Sequence, residues 1–290
     1  MTSDKSVEAV LSSPPGHWVG DGFPVSSVFS PQTVQSRLSP YVLFDYAGPV
    51  EFEPSSTPRG VDSHPHRGFE TVTVVYQGEL EHRDSDGNSG SIGPGDVQWM
   101  TAASGVLHEE KHSEAFTRGG GVLEMAQLWV NLPAKHKMDA PRYQTLVRAD
   151  IPSVTLPDDA GEVRLIAGAF GGTPGAAQTF TPVILWDVRL RKGAKTRLPI
   201  TSGFNSAVFV RSGRTWVGET HSADARQLAI LSLEGDSATV EAEDDAEILV
   251  VGGEPIDEPV VAYGPFVMNT AEEIQQAMED VRAGKLGRLD

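Results

Sequence analysis

The sequence predicts an all-β protein of two barrel-like halves, closed by one C-terminal helix. Three observations carry that reading. Short runs rich in β-branched and aromatic residues recur between turn signals at regular intervals. The composition supplies the turns, with 30 Gly and 20 Pro in 290 residues. The rhythm then restarts after a polar stretch containing two prolines, Pro133 to Gln144 (PAKHKMDAPRYQ).

Residues 1–60 are rich in Pro, Ser and Gly, with short extended stretches such as PYVLFDYAGP. FETVTVVY, Phe69 to Tyr76, reads as a strand because such side chains fit a pleated, half-buried surface. Gly78 ends it. GELEHR is strand-like, and DSDGNSG and GPGD carry turn chemistry. VQWMTA, VLHEE and AQLWVNL continue the series. The polar stretch is read as the linker, which gives domains 1–135 and 136–290. A second series follows: EVRLIAGAF, TPVILWDVRL, SAVFVRSG, RTWVGE, QLAILSL and EILVVGG. The halves share a rhythm more than a sequence, as a duplicated barrel would. At the end, Thr270 and Glu273 have capping-box spacing, and Ile274, Met278 and Val281 recur at helical intervals before Gly284. The expectation is an amphipathic helix over 271–283, within the second domain and covering part of a barrel.

The hydrophobic fraction of 39% suits an ordinary packed core. No apolar run approaches the roughly 18 residues of a membrane span. The N-terminus lacks a basic region followed by an apolar core, so it does not read as a secretory signal and the default compartment is the cytoplasm. Cysteine is absent, which excludes disulfides and thiolate metal sites. The net charge of −17 repels phosphate backbones and anionic lipid. Direct nucleic-acid and membrane partners are therefore not expected; a protein partner with a basic patch is compatible with this surface, and a monomer is the default.

Chemistry concentrates in two short motifs, DSHPHRGFE and SGVLHEEKH. Side chains at i and i+2 of a strand share a face, so His64 with His66, and His108 with Glu110, can each aim into one cavity. Three imidazoles and one carboxylate suit a first-row transition metal such as Fe, Ni, Cu, Zn or Mn. Glu70 also has a ligand's spacing and parity, unless Gly68 hosts a bulge, so the carboxylate stays open between Glu70 and Glu110. Glu109 alternates to the opposite face. His17, His136 and His221 lie outside the motifs and read as solvent-facing, His82 near a hairpin as surface, and His112 at most as a group behind the ligands. Arg67 is placed at the cavity mouth, Asp45 at its rim, and Gln98 and Met100 on one strand face lining it. Each of these has an equal reading as ordinary packing or surface.

The stretch from HPHRGFETVTVVY to SGVLHEE resembles the signature region of the pirin family, in the cupin superfamily. PYVLFDYAGP before it, LWVNLPAKHKM after it and GPFVMNTAEEIQQAM near the C-terminus agree in order. Residues 145–260 match weakly. The resemblance implies a bicupin, two jelly-roll β-barrels face to face, with one metal in the N-terminal barrel. It implies His64, His66, His108 and Glu110 as ligands and selects iron. Pirins are similar to quercetinases, which implies a metal-dependent dioxygenase taking dioxygen and a flavonol or similar enolisable phenol, with Glu110 as general base. The alternative implied is an iron-binding, redox-sensitive regulatory protein acting through transcriptional or metabolic protein partners.

Overall fold

The computed structural model describes residues 3–33 and 35–289. It is mostly antiparallel β-sheet arranged in two compact units. The unit carrying the histidine motifs comprises Pro15–Ser27, Leu43–Arg148 and Ile256–Asp290. Its seven-stranded sheet runs, in spatial order, Arg142–Leu146, Val97–Thr101, Phe69–Gln77, Gly121–Asn131, Tyr41–Phe52, Phe23–Phe29 and His17–Val19. Its four-stranded sheet runs Gly60–His66, Val106–His112, Leu80–Asp84 and Ser89–Ile92. Phe23, Val25, Ala47, Val75 and Met125 from the first sheet meet Leu80 and Ile92 from the second, so the core lies between the sheets. The other unit repeats the plan, again with seven strands and four. Its core is built around Trp186, Val208, Val240 and Ile248.

The units depart from the boundary at 135/136. Arg142–Leu146, taken as linker, is the edge strand beside Val97–Thr101. Its two flanking-loop prolines and polar composition hide a strand that is only partly buried. The chain ends also exchange. Val7–Ser12 pairs with Gln227–Leu231, placing the N-terminal segment in the later barrel. Ile256–Asp290 packs in the earlier one, helix included. That helix, Ala271–Arg282, has the expected capping box between Thr270 and Glu273. It lays Ile274 and Ala277 on Phe266 and Met268 of the preceding hairpin. No helix among the described residues is long and apolar enough to cross a membrane.

Gly68 shows why this C-terminal segment seats so closely. Its φ is +88°, and a Cβ there would stand 2.0 Å from the Val267 carbonyl oxygen. Only glycine relieves both constraints. Lys137, 1% exposed, ties the same place together. Its ammonium donates to Gly68 O, Val267 O and Asn131 Oδ1.

Candidate metal centre

Two neighbouring antiparallel strands set the site. Gly60–His66 pairs with Val106–His112 so that His64 faces His108 and His66 faces Val106. Alternation then turns the three imidazoles to one side, and their donor atoms all lie within 4.8 Å of one another. The His64 and His66 Nε2 atoms are 3.2 Å apart. Two imidazole nitrogens bound at about 2.1 Å from one ion, at right angles, stand about 3.0 Å apart, so the spacing fits a shared ion.

The protonation pattern fits as well. His64 Nδ1 donates to Asp62 O at 2.8 Å, and His66 Nδ1 donates to Pro265 O at 3.3 Å. Both leave the Nε2 lone pair for the site. Burial, with the neighbouring His64 ring, pushes His66 down to about 3. Burial, with the rings of His66, His64 and His82, holds His108 well below its ordinary range. His108 Nε2 is buried with no hydrogen-bond partner. A neutral imidazole with an orphaned, inward nitrogen beside two converging lone pairs is the donor set a divalent cation needs. His66 is also walled by Phe69 and Trp129, whose ring centroids lie 5.0 and 5.3 Å away.

The structure separates the three candidate carboxylates. Glu110 points into the barrel interior, where Thr73 Oγ1 and Gln127 Nε2 donate to it at 3.2 and 3.3 Å. It stands outside the three-histidine donor cluster. The register slips between His108 and Glu110 against the Gly60–His66 strand, which displaces it along the sheet. Glu109 turns outward to an ion pair with Arg83. Glu70 faces away from the imidazoles. The chain breaks strand geometry at Arg67 and Gly68, resetting the alternation, so Glu70 pairs with Thr101 and accepts from its hydroxyl at 2.7 Å. Burial pushes its carboxyl up to about 7.

Among the pocket candidates, Gln98 and Met100 sit opposite Thr73 and Thr71, on the face that reaches Glu110. Met100 packs with Val106 and Tyr143. Asp45 shares its strand face with the core residue Ala47 and accepts from Ser27 Oγ at 2.6 Å, while burial pushes its carboxyl up. Arg67 is not at an open mouth. It is 4% exposed, because its guanidinium pairs with Asp280 at 2.9 Å and its Nε donates to Ser104 O. A cation so neutralised is not free to attract an anionic substrate.

Two histidines differ from their sequence reading. His82 is buried, not superficial: its ring stacks on Tyr143 and its Nδ1 lies 3.3 Å from His108 Nδ1. His112 is buried among Phe23, Phe52 and Phe116, with Nε2 donating to Gly22 O, so it packs the far end of the barrel. His17 and His221 are exposed, and His136 binds Asp139. Sequence reasoning missed His82, Asp84 and Tyr143. His82 and Asp84 carry the same i, i+2 spacing as the other pairs, the one signal that marks them.

Two barrels of one plan, the first with a buried cluster of converging imidazoles, define a bicupin with a candidate metal centre. Within that class, the chain belongs to the pirin family: the Pirin profile matches residues 22–130 and that of the pirin C-terminal cupin domain residues 185–287. A Pseudomonas aeruginosa protein provisionally named quercetin 2,3-dioxygenase is 54% identical over 98% of this chain and 99% of its own. Human pirin is 40% identical over 87% of this chain and 84% of its own. The crystal structure of a quercetin 2,3-dioxygenase from Acinetobacter baumannii superposes with a TM-score of 0.96 at 46% identity, covering 99% and 100% of the two chains.

Proposed function

We propose that this protein is a metal-dependent dioxygenase of the quercetin 2,3-dioxygenase type, acting on flavonols or similar enolisable phenols, with iron as the native metal. The observation that carries the proposal is the convergence of His64, His66 and the orphaned His108 Nε2 in a barrel whose interior also receives the carboxylate of Glu110. Bound there, the metal supplies Lewis-acid and redox chemistry toward a chelating enolate and dioxygen. The three imidazoles hold it. Glu110 is proposed as the fourth ligand and as the general base that takes the substrate's hydroxyl proton. Thr73 and Gln127 hold that carboxylate through hydrogen bonds of 3.2 and 3.3 Å, and ligation would require it to turn from them toward the ion. Thr71 Oγ1 and Gln98 Nε2, both buried without a protein partner, are on hand for a substrate's phenolic groups. The similarity to proteins named for this activity supports the reading.

The test is aerobic loss of quercetin absorbance with carbon monoxide release by the Fe(II)-loaded protein, against the apo-protein. Loaded and apo-protein behaving alike across several metals and flavonols would sink the enzyme. A second reading then takes over, that of an iron-binding, redox-sensitive regulatory protein. One observation favours it: His66 is tied to Pro265 in a hairpin whose Tyr263 is 64% exposed, which links the site to a surface.

A further inference from the structure

We propose that His82 and Asp84 are positioning residues that fix the tautomer and ring plane of His108, a role that rests on the metal reading of the three-histidine cluster. His64 and His66 each donate Nδ1–H to a backbone carbonyl, an acceptor that settles their tautomers. His108 has no such carbonyl. Its Nδ1 instead faces His82 Nδ1 at 3.3 Å, an ambiguous contact, because either ring can be the donor. The next link removes the ambiguity. His82 Nε2 lies 3.4 Å from Asp84 Oδ2. Asp84 is surrounded by donors: its Oδ1 accepts from Asp86 N and Asn88 N, and its Oδ2 from Asn88 Nδ2. An ionised carboxylate only accepts. A neutral His82 therefore carries its hydrogen on Nε2, which leaves a lone pair on Nδ1. His108 must then carry its hydrogen on Nδ1, which leaves the Nε2 lone pair aimed into the site.

Packing holds the His82 ring in place. Tyr143 stacks on His82 with centroids 5.0 Å apart and an interplanar angle of 13°. Gly90, opposite His82 in the sheet, makes room for that ring: a Cβ there would stand 3.2 Å from the Tyr143 hydroxyl. His82, Asp84 and His108 are all buried, so water does not compete for these hydrogen bonds.

The experiment uses the full chain and Co(II) alone as the probe. Affinity is read by chelator competition, and the hyperfine-shifted, exchangeable ring N–H resonances are read by proton NMR. The wild type should bind Co(II) and show three such resonances. His82→Phe keeps a flat ring against Tyr143 but offers no acceptor. It should lose about 10- to 100-fold in Co(II) affinity, with the His108 resonance lost or exchanging rapidly. Asp84→Asn keeps an oxygen for the turn but frees the tautomer, and should fall in the same direction. His82→Asn, whose Oδ1 can occupy the place of Nδ1, should restore the affinity and the resonance. Matched thermal unfolding of the apo-proteins separates these effects from misfolding. Wild-type affinity with three resonances in His82→Phe overturns the relay alone. A wild type that binds no Co(II) overturns the metal centre and the relay with it.

Discussion

Glu109 and Glu110 are adjacent in the chain, yet one pairs with Arg83 outside and the other meets Thr73 and Gln127 inside. Strand alternation alone makes that division legible in the sequence. Under the proposed function, Glu110→Ala should lower metal affinity and turnover about 10- to 100-fold, while Glu109→Ala should leave both near wild type. Equal losses in isothermal titration and oxygen uptake would refute the assignment. The sequence left Glu70 open, pending a bulge at Gly68, and the two-residue break at Arg67 and Gly68 turns it away. Its buried carboxyl titrates at about 7, against 4.5 when free. Below pH 4.5 it is protonated in both folded and unfolded chains, and burial costs little. As pH rises toward 7 only the unfolded chain ionises, so stability falls, and above 7 the full penalty stands. Glu70→Gln should therefore stabilise by about 2–3 kcal/mol at pH 8, with the gain fading near pH 4. Urea unfolding at the two pH values checks this; a gain independent of pH would contradict it.

At the scale of elements, periodicity and capping predicted the terminal helix to within a residue. Its host differs from the second domain expected for it, because Ile256–Asp290 packs with the earlier barrel. The helix lies on the hairpin around Phe266 and Met268, whose place is fixed by Gly68 and Lys137, residues distant in sequence. Lys137→Met keeps the stem but removes the donor shared by three buried acceptors. It should cost about 2–4 kcal/mol. Hydrogen exchange should quicken first over 266–282, and uniform quickening across the whole chain would argue against a local clasp. The edge strand Arg142–Leu146 was missed for a related reason. Polar Arg142, Gln144 and Thr145 make up most of this half-buried strand, so it shows no period-2 apolar pattern.

For the whole molecule, the one group of converging metal-capable side chains among the described residues, His64, His66 and His108, lies in the barrel that carries the histidine motifs. Elemental analysis should find about one metal per chain at saturation, and His66→Ala should remove it; a second tightly held ion that survives this substitution would refute the single-site assignment. By itself the sequence determined the all-β class, the duplicated rhythm, the C-terminal helix and the shared face of His64 and His66 and of His108 and Glu110. Each follows from a local rule, the period of a strand or helix or the chemistry of a turn. Only the tertiary structure decided which chain end packs in which barrel, that Arg67 is neutralised by Asp280, that Glu70 turns away, and that His82 and Asp84 stand behind His108. Those outcomes depend on contacts between residues far apart in the chain and on a break in strand geometry, and the local pattern of side chains does not suffice to fix them.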